Sequence, residues 1–267
     1  MTPEPTPHAR KRSDAAAPTG RSRAPEHTCG ARPNTPHSTT GNTTNHDRKH
    51  FRTPKKEKPI MHVAIPLYPQ YTALDVVGPY TVLAFAPGVT VTLVAAEPGP
   101  MVDDRGSLAL TATASFAELS RPDVIVVPGG PGTRKALADA ALVGWIALAH
   151  QYTRWTTSVC AGSFLLGAAG LLTGRRATSH WAWLDQLTAF DAEPVRERVV
   201  RDGKVITAAG VSAGIDMALT LLAEATDVPT AHSVQLAIEY DPKPPFDAGS
   251  PANAPAPLRQ AALALIT

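Results

Sequence analysis

Residues 156–167 (TTSVCAGSFLLG) contain the most reactive side-chain type in the sequence, the thiol of Cys160. A β-branched run ends at Cys160, and small residues follow where a helix can begin. This pattern predicts a tight strand-to-helix turn that presents one side chain at the carboxyl edge of a sheet. The positive end of the following helix would favour the thiolate, so we expect a thiol pKa below its free value. The alternative is a buried structural cysteine, which behaves as a small hydrophobic residue.

A glycine-rich segment at 126–132 (VVPGGPG) follows another strand-like run. Consecutive glycines allow backbone N–H groups to face a ligand, so Gly129 and Gly130 are candidates for an oxyanion hole. The segment lacks the Lys-Ser/Thr end of a phosphate-binding loop. An ordinary strand-to-helix turn is the alternative.

Asp75 lies among apolar residues in the segment 74–79 (LDVVGP). A buried carboxylate without a partner is costly, so Asp75 needs a neighbour that shares its charge or its proton. Pro79 has no N–H to donate to the Asp75 carbonyl, and we therefore expect the helix to kink or to begin at Pro79, with Asp75 in the preceding loop when it begins there. The alternative role for Asp75 is a helix cap.

His180 follows Cys160 by twenty residues, and a neutral imidazole beside a thiol could act as a base or an acid. A structural histidine packed beside Trp181 is the alternative, and the sequence favours neither. No group of His, Cys, Asp and Glu has metal-ligand spacing, and no cofactor motif is present, so we expect neither metal nor cofactor.

The pattern of elements predicts an α/β fold. Strands are predicted at 62–67, 89–95, 123–127 and 156–159, with a helix at 139–152. This alternation indicates a doubly wound, mostly parallel sheet with helices on both faces. Further predictions are a short strand or hairpin arm at 108–113, a hairpin of 195–200 and 204–207 turning at 201–203, and helices at 212–226, 229–240 and 257–265.

Composition separates residues 1–60 from the rest of the chain. These residues contain no Leu or Val and nine of the 26 prolines, with 12 Lys/Arg against 5 Asp/Glu, a net of +7. Such a stretch cannot bury enough apolar surface to offset the entropy of ordering it. We expect a disordered basic tail at 1–60, one α/β domain at 61–251, and a linker with a short helix at 252–267.

Charge and cysteine content narrow the function classes. Residues 61–267 carry 13 Lys/Arg against 18 Asp/Glu, a net of −5, which argues against nucleic-acid binding. No apolar run reaches the roughly 18–20 residues that span a bilayer, so no membrane partner is expected. Only two cysteines are present, which excludes a disulfide scaffold and indicates a reducing compartment, the cytoplasm.

The combined motifs resemble the ThiJ/PfpI superfamily, which has the class I glutamine amidotransferase-like fold. The resemblance covers about 61–251 and is closest to isonitrile hydratases. Its residues are LDVVGP at 74–79, VPGG at 127–130, SVCAGS at 158–163, RRATSHW at 175–181, GVSAGIDMAL at 210–219 and PPFDAGSP at 244–251.

The resemblance implies roles for these residues. Cys160 corresponds to the nucleophile, Asp75 to its acidic partner, and Gly129, Gly130 and Ala161 to the oxyanion donors. Isonitrile hydratases carry Thr after the nucleophile and peptidase-like members carry His, whereas this chain has Ala161. The Cys-Ala-Gly run with a later His is similar to the deglycase/glyoxalase branch, but that branch has Glu where this chain has Asp75.

Three functions follow from the resemblance. The first is an isonitrile hydratase-like enzyme acting on a small molecule, expected as a homodimer. The second is a non-catalytic small-molecule or redox sensor, and the third is a glyoxalase or deglycase. The same signature occurs in AraC-type regulators, but a helix-turn-helix domain needs roughly a hundred residues. Only 27 residues follow Tyr240, so we expect no DNA-binding domain in this chain.

Overall fold

The computed structural model describes residues 61–266, so the predicted tail at 1–60 lies outside the described residues. The strands are β1 (Met61–Pro66), β2 (Val89–Ala95), β3 (Gly99–Val102), β4 (Ala109–Ala112), β5 (Ala114–Ser115), β6 (Val124–Val127), β7 (Trp155–Val159), β8 (Arg176–Ala177), β9 (Glu193–Pro194), β10 (Val199–Asp202) and β11 (Val205–Ala208). The helices are α1 (Ala73–Ala84), α2 (Thr133–Ala136), α3 (Ala140–Tyr152), α4 (Gly162–Ala168), α5 (Ala213–Ala225), α6 (Val228–Ala237) and α7 (Ala256–Ile266), with a 3-10 helix at Leu184–Phe190.

Seven strands form the central sheet, in the order β10-β11-β7-β6-β1-β2-β5. Neighbouring strands are parallel except for the antiparallel pair β10–β11 at one edge. All four residues of β6 are buried, as expected for a strand covered on both faces. Helix α1 packs against α5, and α3 packs against α4. These observations confirm the predicted doubly wound α/β fold.

Several element predictions are confirmed closely. Strand β2 has the predicted bounds, and α3 begins one residue late because Asp139 is its N-cap, where the carboxylate accepts from the N–H groups of Ala141 and Leu142. The predicted arm at 108–113 is β4, which pairs with β3 in an antiparallel hairpin.

The predicted hairpin before α5 is correct in kind but shifted. Its first strand begins at Val199, four residues later than predicted, and Asp202 pairs with Val205. The turn is therefore Gly203-Lys204, with Gly203 at φ 62°, a left-handed conformation that glycine adopts without strain.

Of the two alternatives expected for α1, a kink at Pro79 or a start there, the start at Pro79 is wrong. The helix begins at Ala73 and continues through Pro79, so Asp75 lies in its first turn rather than in a preceding loop. Helix α5 packs closely on this stretch, since a Cβ at Gly214 would lie only 3.1 Å from Pro79 Cγ. We attribute the continuous helix to this packing, which outweighs the one hydrogen bond that Pro79 cannot make.

Candidate active site

Cys160 occupies a strained turn between β7 and α4. Its φ is 56°, a left-handed value that costs a non-glycine residue roughly 1–2 kcal/mol. Hydrogen bonds hold the turn on both sides: the Cys160 N–H donates to Ala208 O at 3.0 Å, and the Cys160 carbonyl accepts from Ser179 Oγ at 3.0 Å and Ser163 Oγ at 3.2 Å. The side chain is almost fully buried. The predicted strand-to-helix turn is present, and its backbone is strained.

Two glycines allow the turns after β6 and β7 to touch. A Cβ at Gly129 would lie 2.4 Å from the Ala161 nitrogen, and a Cβ at Gly162 would lie 2.1 Å from the Val127 oxygen. Neither contact is sterically possible, so both positions require glycine. This close approach brings the glycine segment of one turn against the cysteine of the other.

The Asp75 carboxyl is fully buried at the same edge of the sheet. Its Oδ2 accepts the Gly129 N–H at 2.9 Å, which ties α1 to the turn after β6. Its Oδ1 accepts no hydrogen bond of normal geometry from any residue in 61–266, and the Cys160 thiol is a close titratable neighbour. The N-cap of α1 is Thr72, so Asp75 is not the helix cap.

The carboxyl and the thiol perturb each other's ionisation. Burial raises the pKa of Asp75 to about 8, although the Gly129 N–H and the Cys160 thiol act in the opposite direction. Burial, followed by the negative charge of Asp75, raises the pKa of the Cys160 thiol well above its usual value. The expected lowering of the thiol pKa is therefore wrong, because desolvation outweighs the backbone donors. At neutral pH the pair is a thiol beside a carboxylic acid.

Backbone N–H groups of Ala161 and Val211 reach the Cys160 sulfur and partly offset its raised pKa. Val211 has φ 40°, an outlier for a β-branched residue. None of the sequence motifs indicated a role for Val211 at the sulfur. The available signal was its place after β11, because β11 is the neighbour of β7 and the carboxyl ends of parallel strands meet at one edge.

The structure separates the two candidate glycine donors. Gly129 donates its N–H to Asp75, so it is not free to serve a substrate, and its expected oxyanion role is corrected. The Gly130 N–H has no hydrogen-bond acceptor among the described residues. Gly130 has φ 144°, and a Cβ there would lie 2.6 Å from both Gln70 O and Thr72 N. The candidate donors are therefore Gly130, whose N–H is unpaired within residues 61–266, and Ala161, whose N–H faces the Cys160 sulfur and so the position of a carbon bonded to it.

Tyr68, in the loop after β1, is a further buried group at the site that none of the sequence motifs contains. Its hydroxyl donates to Pro128 O at 2.8 Å and lies 2.9 Å from Thr133 Oγ1. Burial raises its pKa, and the charges of Asp75 and Cys160 add to the shift. Its place at the carboxyl end of a central strand was the only signal in the sequence.

His180 is placed by packing rather than by contact with the thiol. Its ring lies 5.0 Å from the Trp183 ring and 5.6 Å from the Trp181 ring, centroid to centroid. Its Nδ1 accepts from the Ala182 N–H at 3.3 Å, and none of its hydrogen bonds within residues 61–266 reaches Cys160. Burial lowers its pKa, which favours the neutral ring. A Cβ at Gly210 would lie 2.4 Å from His180 Cδ2, so the ring presses on the backbone beside Val211.

Two cavities flank this region and share no lining residue. One, of about 770 Å³, is bordered by Leu74, His180, Gly210 and Val211 together with the side chains of Arg196, Arg198 and Arg259. The other, of about 550 Å³, is bordered by Gly130 and Ala161 together with Leu137, Phe164, Trp183, Phe190 and Ile266. Both volumes suit a small-molecule ligand.

Among residues 61–266 no group of three or more His, Cys, Asp or Glu side chains could hold a metal ion. No helix in that part of the chain has the length and apolar character needed to cross a membrane.

The fold and the site define a doubly wound α/β protein with a strained, buried cysteine at a strand-to-helix turn. The DJ-1/PfpI family matches residues 61–224, and the chain belongs to this family. The resemblance drawn from the motifs is thereby confirmed.

Individual relatives agree with this assignment. The isonitrile hydratase of Pseudomonas putida is 48% identical over 195 residues, which cover 73% of this chain and 85% of the relative. The crystal structure of a ThiJ/PfpI family protein from Pseudomonas syringae is 43% identical with a TM-score of 0.74, covering 77% of this chain and 86% of that one. The HTH-type transcriptional regulator CdhR of Pseudomonas aeruginosa is 32% identical over 55% of this chain and 42% of its own length.

Proposed function

We propose that this protein is a cysteine-dependent isonitrile hydratase, a hydro-lyase that converts an isonitrile and water to an N-substituted formamide. The observation that carries the proposal is the buried Cys160–Asp75 pair, in which the pKa of Asp75 is about 8 and its proton is available at neutral pH. The identity of 48% to an isonitrile hydratase supports the substrate class.

The first chemical step adds sulfur and hydrogen to the same carbon atom. The Cys160 sulfur bonds to the terminal isonitrile carbon while its proton passes to the Asp75 carboxyl. The proton that Asp75 already held moves to that carbon, giving the thioimidate R–N=CH–S–Cys160. A carboxylic acid can donate one proton and accept another in this way, which a carboxylate cannot.

The second stage releases the product by hydrolysis. Water adds to the thioimidate carbon, and a proton moves to nitrogen, giving a tetrahedral species with one hydroxyl group. The C–S bond then breaks as the formamide carbonyl forms, and the hydroxyl proton returns to sulfur through Asp75. The sum is R–N≡C plus water giving R–NH–CHO, with the thiol restored.

We assign the oxygen of the tetrahedral species to the N–H groups of Gly130 and Ala161, which border the 550 Å³ cavity. Ala161 contributes through its backbone, which any residue at that position provides. The Ala161 departure from the family's Thr therefore removes a hydroxyl but keeps the donor.

His180 is assigned a positioning role instead of the expected catalytic one. Its ring presses on Gly210, and the next N–H along the chain, that of Val211, reaches the Cys160 sulfur. We infer that the ring helps to hold Val211 in its strained conformation.

The experiment is a direct assay of the purified full chain with cyclohexyl isocyanide, in which N-cyclohexylformamide is quantified by NMR. We expect formamide to form with the native protein and not with Cys160→Ala. Methylglyoxal is tested in parallel. Turnover of methylglyoxal without turnover of the isocyanide would support the deglycase or glyoxalase alternative, and turnover of neither would support a sensor.

We further propose a homodimer that works in the reducing cytoplasm, where the Cys160 thiol stays reduced. Helix α1 exposes apolar side chains on one side: Leu74 is 42% exposed, Val77 36% and Tyr80 41%. A second copy of the chain would cover them. Light scattering should give twice the chain mass, and Val77→Arg should shift it towards the monomer.

A further inference from the structure

The 550 Å³ cavity beside the two candidate oxyanion donors has an aromatic wall. Phe164 of α4 and Phe190, the last residue of the 3-10 helix, lie 5.7 Å apart between ring centroids, with their planes tilted by 42°. Trp183 borders the same cavity. Such a wall suits an apolar group and offers it no hydrogen bond from Phe164 or Phe190.

A glycine fixes where the Phe190 ring lies. A Cβ at Gly167 of α4 would be 2.4 Å from Phe190 Cγ and under 3 Å from both Cδ atoms, at 2.7 and 2.8 Å. The ring therefore rests directly on the backbone of α4, in a space that only glycine leaves open. Packing on the backbone of α4 and beside Phe164 holds the ring in place.

The cavity is bordered by Ala161, directly after the reacting cysteine, and by Phe164 of α4. The Phe190 ring packs on Gly167. Gly167 lies six residues after Ala161, or about 9 Å further along a helix axis. The C–N–R unit of a free isonitrile is linear, so a terminal carbon that faces the Cys160 sulfur leaves the nitrogen substituent on the side away from that sulfur. Phe190 borders the same cavity as Ala161.

We propose that Phe190, seated against Gly167, sets the size limit for the apolar substituent on the isonitrile nitrogen. The inference rests on the proposed function, because it takes the isonitrile as the molecule that reaches Cys160. Phe190 does not touch the reacting atoms, so it determines specificity and takes no part in the chemistry.

The test compares substrates of different size in matched variants. Phe190→Leu and Phe190→Met both replace the aromatic ring by an aliphatic side chain. The second variant keeps the test valid if the first fails to fold. The control is Phe116→Leu, the same change at a buried Phe that stacks on Trp145 at 4.9 Å and borders neither cavity. The kcat/KM ratio of biphenylyl to ethyl isonitrile should rise about tenfold or more in the Phe190 variants, since small changes in an apolar pocket give roughly 10–200-fold discrimination.

A second measurement tests the size limit at this wall without requiring turnover. The Cys160 peptide is followed by mass spectrometry during alkylation with iodoacetamide and with N-biphenylyl iodoacetamide. The native protein should react far more slowly with the larger reagent, and the Phe190 variants should reduce that difference several-fold.

The outcomes separate the two proposals. If the native protein hydrates no isonitrile, the proposed function fails, and the alkylation ratio still decides whether Phe190 limits size. If isonitriles are hydrated but both ratios are unchanged in the Phe190 variants, the size limit is overturned. Equal changes in Phe116→Leu would also overturn it, because the effect would then not belong to this wall.

Discussion

Replacing Asp75 by Asn should make the protein less active and, at neutral pH, more stable. The wild-type carboxyl is fully buried with a pKa of about 8, against 3.8 for the same group in an unfolded chain. As pH rises above about 4, the unfolded state releases this proton while the folded state keeps it, so the folded state loses stability. The loss is about 1.36 kcal/mol per pH unit and stops growing near pH 8, where the folded state also ionises.

The magnitude at pH 7 follows from the same values. About three pH units separate pH 7 from the unfolded pKa, which corresponds to roughly 4 kcal/mol of stability that the wild type gives up. Asn keeps an oxygen for the Gly129 N–H but buries an NH₂ group beside the thiol, at a cost of about 1–3 kcal/mol. Asp75→Asn should therefore be more stable by about 1–3 kcal/mol at pH 7, and no more stable than the wild type at pH 4.5.

Urea unfolding, followed by tryptophan fluorescence at pH 4.5, 6 and 8, measures this difference directly. Titrating groups other than Cys160, whose pKa depends on Asp75, are the same in both proteins and cancel in the comparison. Asp139→Asn, a change at the α3 N-cap, is the control and should stay within a few tenths of a kcal/mol at each pH, because Asn caps nearly as well. Turnover of Asp75→Asn should fall by about 10²–10⁴. Parallel stability profiles for wild type and Asp75→Asn would refute the buried, protonated carboxyl.

Two more predictions concern the surroundings of the sulfur. Iodoacetamide should alkylate wild-type Cys160 slowly at pH 7 and faster in alkaline solution. In Asp75→Asn the rate should rise at lower pH, because the carboxylate charge that raises the thiol pKa is gone. A wild-type rate that is already maximal at pH 7 would contradict the raised thiol pKa. Gly210→Ala places a Cβ 2.4 Å from His180 Cδ2 and should cost about 1–3 kcal/mol of stability. Adding His180→Ala to this variant should restore most of the lost stability and shift the pH profile of Cys160 alkylation. Purely additive effects of the two changes on the free energy of unfolding would exclude the His180–Gly210 contact.

The fold was predictable because its signals are local and consistent. The short β-branched runs that form β6 and β7 favour buried strands, and the turn at Cys160 follows from small residues directly after one of them. The start of α1 was not predictable from the chain alone. Whether Pro79 ends or continues that helix depends on α5, which lies more than a hundred residues further along the sequence.

The residues of the site were predictable from the sequence, but their hydrogen-bond partners and pKa values were not. Cys160, Asp75 and Gly129 meet at one sheet edge, but the sequence could not indicate that Gly129 gives its N–H to Asp75. Nor could it indicate that the thiol pKa is raised, because burial depends on how tightly two turns approach each other through Gly129 and Gly162. Val211 and its strained backbone carry no side-chain signal at all.

The neutral resting pair bears on the choice among the proposed reactions. A buried thiol beside a buried carboxylic acid is a weak nucleophile until a substrate takes up a proton. The isonitrile carbon both receives the sulfur and holds the lone pair that accepts the proton, so one atom meets both groups of the Cys160–Asp75 pair. An aldehyde divides these roles, with sulfur adding to carbon and the proton going to oxygen, which would need a donor placed further from the sulfur. Because Asp75 is held within reach of the sulfur by Gly129, its position favours hydration of an isonitrile over chemistry on an aldehyde.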